Sequence, residues 1–113
     1  NNVSKLLESA KRAVSLSDSA SDRLRLAWAY GKAENEKMQF AEYEAVASKF
    51  PKTPEAVEAL FRCAMREVEK KNWARADFLL AEALQQGGKP REVEILYWRG
   101  VASSMLSHGE ESS

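Results

Sequence analysis

Five residues in the second half of the chain alternate small and large side chains at helical spacing, and they constrain the fold more than any other feature. Leu60 and Ala64 lie one helical turn apart, and Ala76, Leu80 and Ala83 follow on a second helical segment. Small side chains allow two helices to approach closely, whereas large ones fill the space between neighbouring pairs. Because one pair cannot bury its apolar face alone, stacked pairs must share a core. The pattern predicts an all-α protein built from antiparallel helix pairs.

Apolar residues recur at three- and four-residue spacing almost throughout the chain, and no segment alternates as a half-buried strand would. Pro51 and the Gly87-Gly88 pair fall between the periodic segments, and Pro54 and Pro90 stand where a segment begins. A chain of 113 residues is long enough for one domain, 1–113. We predict about six helices, over Val3–Ser15, Ser19–Ala33, Glu36–Lys49, Pro54–Lys71, Trp73–Gln86 and Pro90–Ser107.

Residues that begin and end helices support these boundaries. Ser19 is expected to cap the second helix, with Asp22 three residues later as in a capping box. Thr53 is expected to cap the fourth helix, with Pro54 at its first position. Gly87-Gly88 is expected to adopt the left-handed backbone that ends the fifth helix.

The spacing of these residues resembles the tetratricopeptide repeat, a helix–turn–helix unit of about 34 residues. Leu60 takes the Trp position of that family and Ala64 its Gly position, while Ala76, Leu80 and Ala83 take the Ala, bulky and Ala positions of the partner helix. The resemblance implies a right-handed superhelical stack of antiparallel helix pairs (a TPR-like α-solenoid).

Weaker copies of the unit flank this clear one. An earlier unit contains Ala27 and Tyr43, and a third unit begins at Leu96 and has Gly100 at the Gly position. Ala27, Ala64 and Gly100 are separated by 37 and 36 residues, slightly more than the common period. The resemblance therefore implies about two repeats plus partial flanking repeats, and we expect the chain to be a fragment of a longer array or a small array with capping helices.

The long period, together with the segment Phe-Pro-Lys-Thr-Pro-Glu-Ala at 50–56, resembles repeats of bacterial envelope proteins. Outer-membrane assembly lipoproteins and Tol-associated periplasmic proteins have repeats of this kind. The similarity covers about residues 20–108 and implies a soluble protein of the bacterial periplasm or envelope.

Composition excludes several classes of function. Lys+Arg and Asp+Glu both number 17, so the chain has no basic excess of the kind that nucleic-acid binders use. No apolar run is long enough to span a bilayer, and no signal peptide is visible at the N-terminus. We therefore expect no nucleic-acid partner and no membrane span.

No residue pattern indicates catalysis, a metal or a cofactor. Glycine clusters do not precede a Lys-Ser or Lys-Thr pair, and the single Cys63 and single His108 cannot form a metal-ligand cluster. Cys63 is expected to be a small buried hydrophobe, and His108 a solvated residue near the C-terminus. Phe78 is expected to fill the core with Leu60 and Leu80. The protein is expected not to be an enzyme.

Stacked repeats curve, and the first helix of each pair lines the concave side. The resemblance implies partner contacts on that side, where aromatic, Arg and Met side chains favour protein binding. The residues so assigned are Arg25, Trp28, Phe61, Arg62, Met65, Tyr97, Trp98 and Val101. Burial of any one aromatic in the core, and a surface ion pair between Arg62 and Glu58, are the alternative interpretations.

The sequence thus favours a non-catalytic scaffold that binds a peptide or helix of a partner protein in a concave groove. An alternative is a structural or oligomerisation module of a larger bacterial envelope assembly, which self-associates through its open repeat ends. A further alternative is an accessory domain of an enzyme encoded by flanking sequence. A spectrin-like or four-helix bundle is the main rival fold, although it favours fewer and longer helices with heptads.

Overall fold

The computed structural model describes residues 2–112, with side chains described for 2–108. Within these residues the chain forms six helices and no strand. In chain order they are α1 (Asn2–Leu16), α2 (Ala20–Lys32), α3 (Glu36–Lys49), α4 (Pro54–Glu69), α5 (Trp73–Gln85) and α6 (Glu92–Ser112).

The helix boundaries agree closely with the sequence prediction, and α3 has the predicted bounds. The fourth helix ends at Glu69 instead of Lys71, because Lys71 adopts a left-handed backbone with φ of 61°. The sixth begins at Glu92 instead of Pro90 and ends at Ser112 instead of Ser107.

Caps predicted from the sequence are present. Ser19 Oγ accepts a hydrogen bond from the Asp22 backbone N–H at 3.2 Å. Thr53 Oγ1 accepts one from the Ala56 N–H at 3.0 Å, with Pro54 in the first turn. Gly87-Gly88 has φ values of 121° and 77°, so both glycines take the conformation that was predicted to end α5.

The same turn ends both α2 and α4. Glu34 and Lys71, which lie 37 residues apart, have φ values of 59° and 61°. The next residues, Asn35 and Asn72, each donate a backbone N–H at 2.9 Å to the carbonyl five residues upstream. Each asparagine then precedes the first residue of the next helix. The equal turns give the α2–α3 and α4–α5 pairs the same local connection.

Each helix packs against the next one in the chain, and α2 also contacts α4. The resulting molecule measures 50 × 28 × 19 Å along its principal axes. This order of contacts is consistent with a helical repeat, in which each unit touches only its neighbours. A large core cluster joins residues of α2 to α6, and a second cluster joins α1 to the other side of α2.

The small and large residues of the clear unit are all in the interior. Leu60 is 5% exposed, and Ala64, Ala76, Leu80 and Ala83 are fully buried. These residues therefore form the contact that the sequence pattern predicted.

The prediction for Phe78 was wrong, because its ring is 51% exposed. The neighbouring Leu79 is 7% exposed and occupies the interior instead. Each residue turns a helix by about 100°, so Phe78 lies about 200° from the buried Leu80, on the opposite side of α5. The ring of Phe78 lies beside the Arg75 guanidinium, whose carbon is 5.5 Å from the ring centre.

Candidate partner-binding groove

Two helices, α2 and α4, present equivalent residues at positions 37 apart. Arg25 and Trp28 on α2 correspond in this way to Arg62 and Met65 on α4. The helices contact each other directly, and Ser21 Oγ on α2 donates a hydrogen bond to Glu55 Oε2 on α4 at 3.1 Å. These four of the five sequence-predicted residues on the two helices therefore belong to equivalent faces of neighbouring elements.

Both arginines of this face are held by carboxylates on their own helix. Arg25 Nη1 lies 3.3 Å from Asp22 Oδ1, and Arg62 Nε lies 2.7 Å from Glu58 Oε2. The Arg62–Glu58 pair is the surface ion pair that the sequence suggested. Because both arginine side chains are more than half exposed, these pairs hold the guanidinium groups loosely and leave donors open to a partner.

Trp28 is the most conspicuous side chain of the face, since half of its surface is exposed. Lys32 lies one turn further along α2, with Nζ 5.3 Å from the centre of the indole ring. The equivalent Met65 on α4 is half-buried and packs against the core cluster. The two residues offer an aromatic ring and a flexible thioether, both of which adapt to apolar side chains of other proteins.

A cavity of about 450 Å³ opens between the C-terminal end of α2, the first half of α3 and the second half of α4. Of the four predicted residues on α2 and α4 that are exposed or half-buried, Arg62 and Met65 line it, whereas Arg25 and Trp28 do not. Its lining consists of Gly31, Glu34, Glu36, Gln39, Phe40, Tyr43, Arg62, Met65, Arg66 and Glu69. We call this cavity the α2–α4 groove.

Arg66 is the charged residue of the groove that contacts both an aromatic ring and a carboxylate of α3. Its guanidinium carbon lies 4.5 Å from the centre of the Phe40 ring, and its Nε lies 2.9 Å from Glu36 Oε1. The Nε atom is buried, and the alignment with Glu36 does not make a hydrogen bond. The contact is therefore an ion pair that leaves the Arg66 donor unsatisfied.

The charges of the groove are mixed. Glu34, Glu36 and Glu69 supply three carboxylates, and Arg62 and Arg66 supply two guanidinium groups. A segment with charges of both signs matches this lining better than a strongly acidic or basic one.

Phe61 differs from the expectation that it contacts a partner. Only 7% of its surface is exposed, and it belongs to the large core cluster. The Arg91 guanidinium covers the ring, with its carbon 4.8 Å from the ring centre. The ring therefore has little free surface for a partner.

The three predicted residues on α6 do not line the α2–α4 groove. Tyr97 is 63% exposed, and its ring meets that of Trp98 edge to face at 5.2 Å. Trp98 packs against the core, and Val101 is half-buried. These side chains belong to another part of the surface.

Sequence reasoning missed the contribution of α3 to the groove. Gln39, Phe40 and Tyr43 line it, although the prediction took only the first helix of each pair. Phe40 and Tyr43 lie three residues apart, and their rings meet edge to face with centres 5.3 Å apart. The three-residue spacing of Phe40 and Tyr43 indicated that they share one face of α3. Whether that face lies in the core or in the groove depended on the position of α4.

Residues with chemical reactivity lie away from the groove lining. Cys63 is buried as predicted, and burial raises the pKa of its thiol to about 12. His108 is exposed on α6. Among the described residues no cluster of three or more His, Cys, Asp or Glu side chains could hold a metal ion.

No helix in the described part of the chain is both long enough and apolar enough to cross a bilayer. Comparisons of the chain with protein-family models, with curated proteins and with solved structures gave no match.

Proposed function

We propose that this protein is a non-catalytic scaffold of the tetratricopeptide-repeat type that binds a segment of another protein in the α2–α4 groove. Under this proposal the helix pairs form a right-handed superhelical stack, and the groove is its concave side. The equal turns at Glu34 and Lys71 and the direct α2–α4 contact support this arrangement. The resemblance of segment 50–56 to bacterial envelope repeats suggests the cell envelope as its location.

The observation that carries the proposal is the cavity that Arg62 and Met65 line, together with the exposed Trp28 at the position on α2 equivalent to Met65. Large aromatic side chains are enriched among residues that dominate protein-binding energies. The partner segment is expected to place an apolar side chain against Trp28 and Met65. It is also expected to carry a carboxylate that meets Arg62 or Arg66.

A peptide selection tests this idea directly. A displayed library of random 16-residue peptides is selected on the wild-type protein, and the binding constants of selected peptides are measured by calorimetry. Trp28→Ala and Arg62→Ala are each expected to weaken binding about 10-fold or more, a loss typical of interface hot spots.

Phe78→Ala is the matched control, since Phe78 is exposed to nearly the same extent as Trp28 but lies on α5 outside the groove. It should leave the binding constants unchanged. If selected peptides bind the folded Trp28→Ala and Arg62→Ala variants as tightly as the wild type, the groove is not the binding site.

A further inference from the structure

Within the described residues, the first and last helices, α1 and α6, each pack against one neighbouring helix only. On α4, the side chains Val57, Leu60, Phe61 and Ala64 are buried, with exposures between 0% and 7%. The residues 36 positions later on α6 are Val93, Leu96, Tyr97 and Gly100. There the exposures are 79% for Val93, 54% for Leu96 and 63% for Tyr97, and Gly100 is also exposed.

The difference follows from the neighbours of each helix. The α4 helix packs against α3 on one side and α5 on the other, whereas α6 packs against α5 and has no following helix in the described chain. The opposite side of α6, with Ile95 and Ala102, is fully buried. The exposed residues thus form the surface to which a second helix of the α5 type would bind. A Cβ atom at Gly100 would meet nothing within 4 Å, so a helix could approach closely there.

The first helix has the side chains that such a partner needs. Val3, Leu7 and Ala10 on α1 precede Ala76, Leu80 and Ala83 of α5 by 73 residues, about two repeats. The α5 residues are fully buried, but Val3 and Leu7 are only half-buried. The first helix therefore packs on the helix after it, like α5, and leaves part of its apolar side uncovered.

Charges on the two helices are complementary in an antiparallel arrangement. Exposed Arg12 lies toward the C-terminal end of α1, and exposed Glu92 lies in the first turn of α6. The neighbouring Lys11 lies over the Tyr30 ring of its own chain, and Glu94 pairs with Arg91 at 2.6 Å. Pairing α1 with α6 as α5 pairs with α4 brings these ends together. Opposite charges then meet at one end of the contact, and the apolar residues meet along its middle.

We propose that the protein assembles head to tail, with α6 of one copy packing against α1 of a second copy to complete a helix pair. The two surfaces in contact differ, so the interface is heterologous and each copy can add a further one. The proposal rests on the exposed helix faces and is independent of partner binding in the α2–α4 groove.

Sedimentation equilibrium of the wild-type chain from about 10 μM to 1 mM is the first test. The average mass is expected to rise above the 12.7 kDa of a monomer with increasing concentration and to exceed twice that value. A wild-type chain that remains monomeric throughout this range contradicts the proposal.

Two variants, each with two glutamates introduced on one of the two surfaces, test the head-to-tail arrangement. The head variant carries Val3→Glu and Arg12→Glu on α1, and the tail variant carries Leu96→Glu and Tyr97→Glu on α6. Each alone is expected to remain monomeric, because each lacks one surface. A mixture is expected to form a one-to-one dimer that does not grow further, since the intact α6 of one variant meets the intact α1 of the other.

Two results would overturn the head-to-tail arrangement. A head variant that dimerises alone indicates an α6–α6 interface and overturns the head-to-tail arrangement, as does a mixture that remains monomeric while both variants keep the wild-type circular dichroism spectrum. Met38→Glu, which adds the same charge at an exposed apolar position on α3, is the control and should associate like the wild type.

Discussion

Glu58 on α4 accepts two hydrogen bonds from Arg91, the residue before α6, although the two residues lie 33 positions apart in sequence. Arg91 Nε donates to Glu58 Oε1 at 2.8 Å, and Arg91 Nη2 donates to Glu58 Oε2 at 3.2 Å. The same guanidinium covers the Phe61 ring, and Glu58 also accepts from Arg62. One carboxylate therefore links the start of α6, the core and the edge of the candidate groove.

Removing this carboxylate should destabilise the fold. Glu58→Gln keeps the size of the side chain but loses the charge that pairs with Arg91, and Arg91 then remains partly buried without a counter-charge. We expect a loss of about 1–2 kcal/mol in the free energy of unfolding, measured by urea denaturation. Asp22→Asn, which removes the exposed pair with Arg25, should cost less than about 0.5 kcal/mol. Equal effects of the two variants would contradict a special role for Glu58.

The stability should depend on pH through Asp18. Hydrogen bonds from Arg23 lower the pKa of this carboxyl group to about 2, and Lys49 adds to the effect. In the unfolded chain the pKa returns to about 3.9, so the unfolded state binds more protons between these values. The contribution of Asp18 is therefore present above about pH 4 and is lost as the pH falls toward 2.

Asp18→Asn isolates this contribution. Urea midpoints of the wild type and the variant should differ at pH 5 and converge as the pH is lowered to about 2. A difference that stays constant from pH 5 to pH 2 would show that the ionised carboxylate is not the cause.

Cys63 should be unreactive in the folded protein. The thiol is buried and its pKa is about 12, so both access and thiolate formation are suppressed at pH 8. A disulfide reagent such as DTNB should label the native chain at least about 100-fold more slowly than the chain in 6 M guanidinium chloride, because labelling requires opening of the core. Rapid labelling of the native protein would place the thiol at the surface.

Two leucines provide a comparison between the core and the exposed end. Leu80→Ala should lower the free energy of unfolding by about 2–5 kcal/mol, since it leaves a cavity at a fully buried position. Leu96→Ala should cost less than about 1 kcal/mol at micromolar protein concentration, because Leu96 is half exposed in a single chain. Denaturation curves of both variants measure the difference, and similar losses would argue against the observed burial.

Two glycines should respond to alanine in opposite directions. Gly88→Ala should destabilise by about 1 kcal/mol or more, because φ is 77° and a side chain at that position is strained. Gly100→Ala should stabilise by about 0.5–1 kcal/mol, since Gly100 lies inside α6 with open space around it. Thermal melts at low protein concentration check both signs, and a stabilising Gly88→Ala would contradict the left-handed backbone.

Much of the fold could be predicted from local signals. Ser19, Thr53 and the Gly87-Gly88 pair marked helix ends because their chemistry acts on backbone groups within a few residues. The buried set around Leu60 and Leu80 followed from helical periodicity, which also operates over one or two turns. Phe78 was assigned to the core wrongly because periodicity alone did not choose between it and Leu79.

The candidate groove could be predicted only in part. Arg62 and Met65 were expected there and line it, but Phe61 is covered by Arg91 from a segment 30 residues away. Arg66 and Phe40 were not expected, because their contact joins two helices.

The sequence by itself determined the six helices of the described chain, most of their ends and the small residues that let neighbouring helices touch, since these depend on interactions between residues close in the chain. Tertiary structure alone decided which faces remained open: the groove between α2, α3 and α4, and the uncovered side of α6. The physical reason is that exposure depends on which other helix occupies a given side. The apolar pattern of Val93, Leu96 and Tyr97 resembles that of buried α4, and only the absence of a covering helix in the described chain distinguishes them.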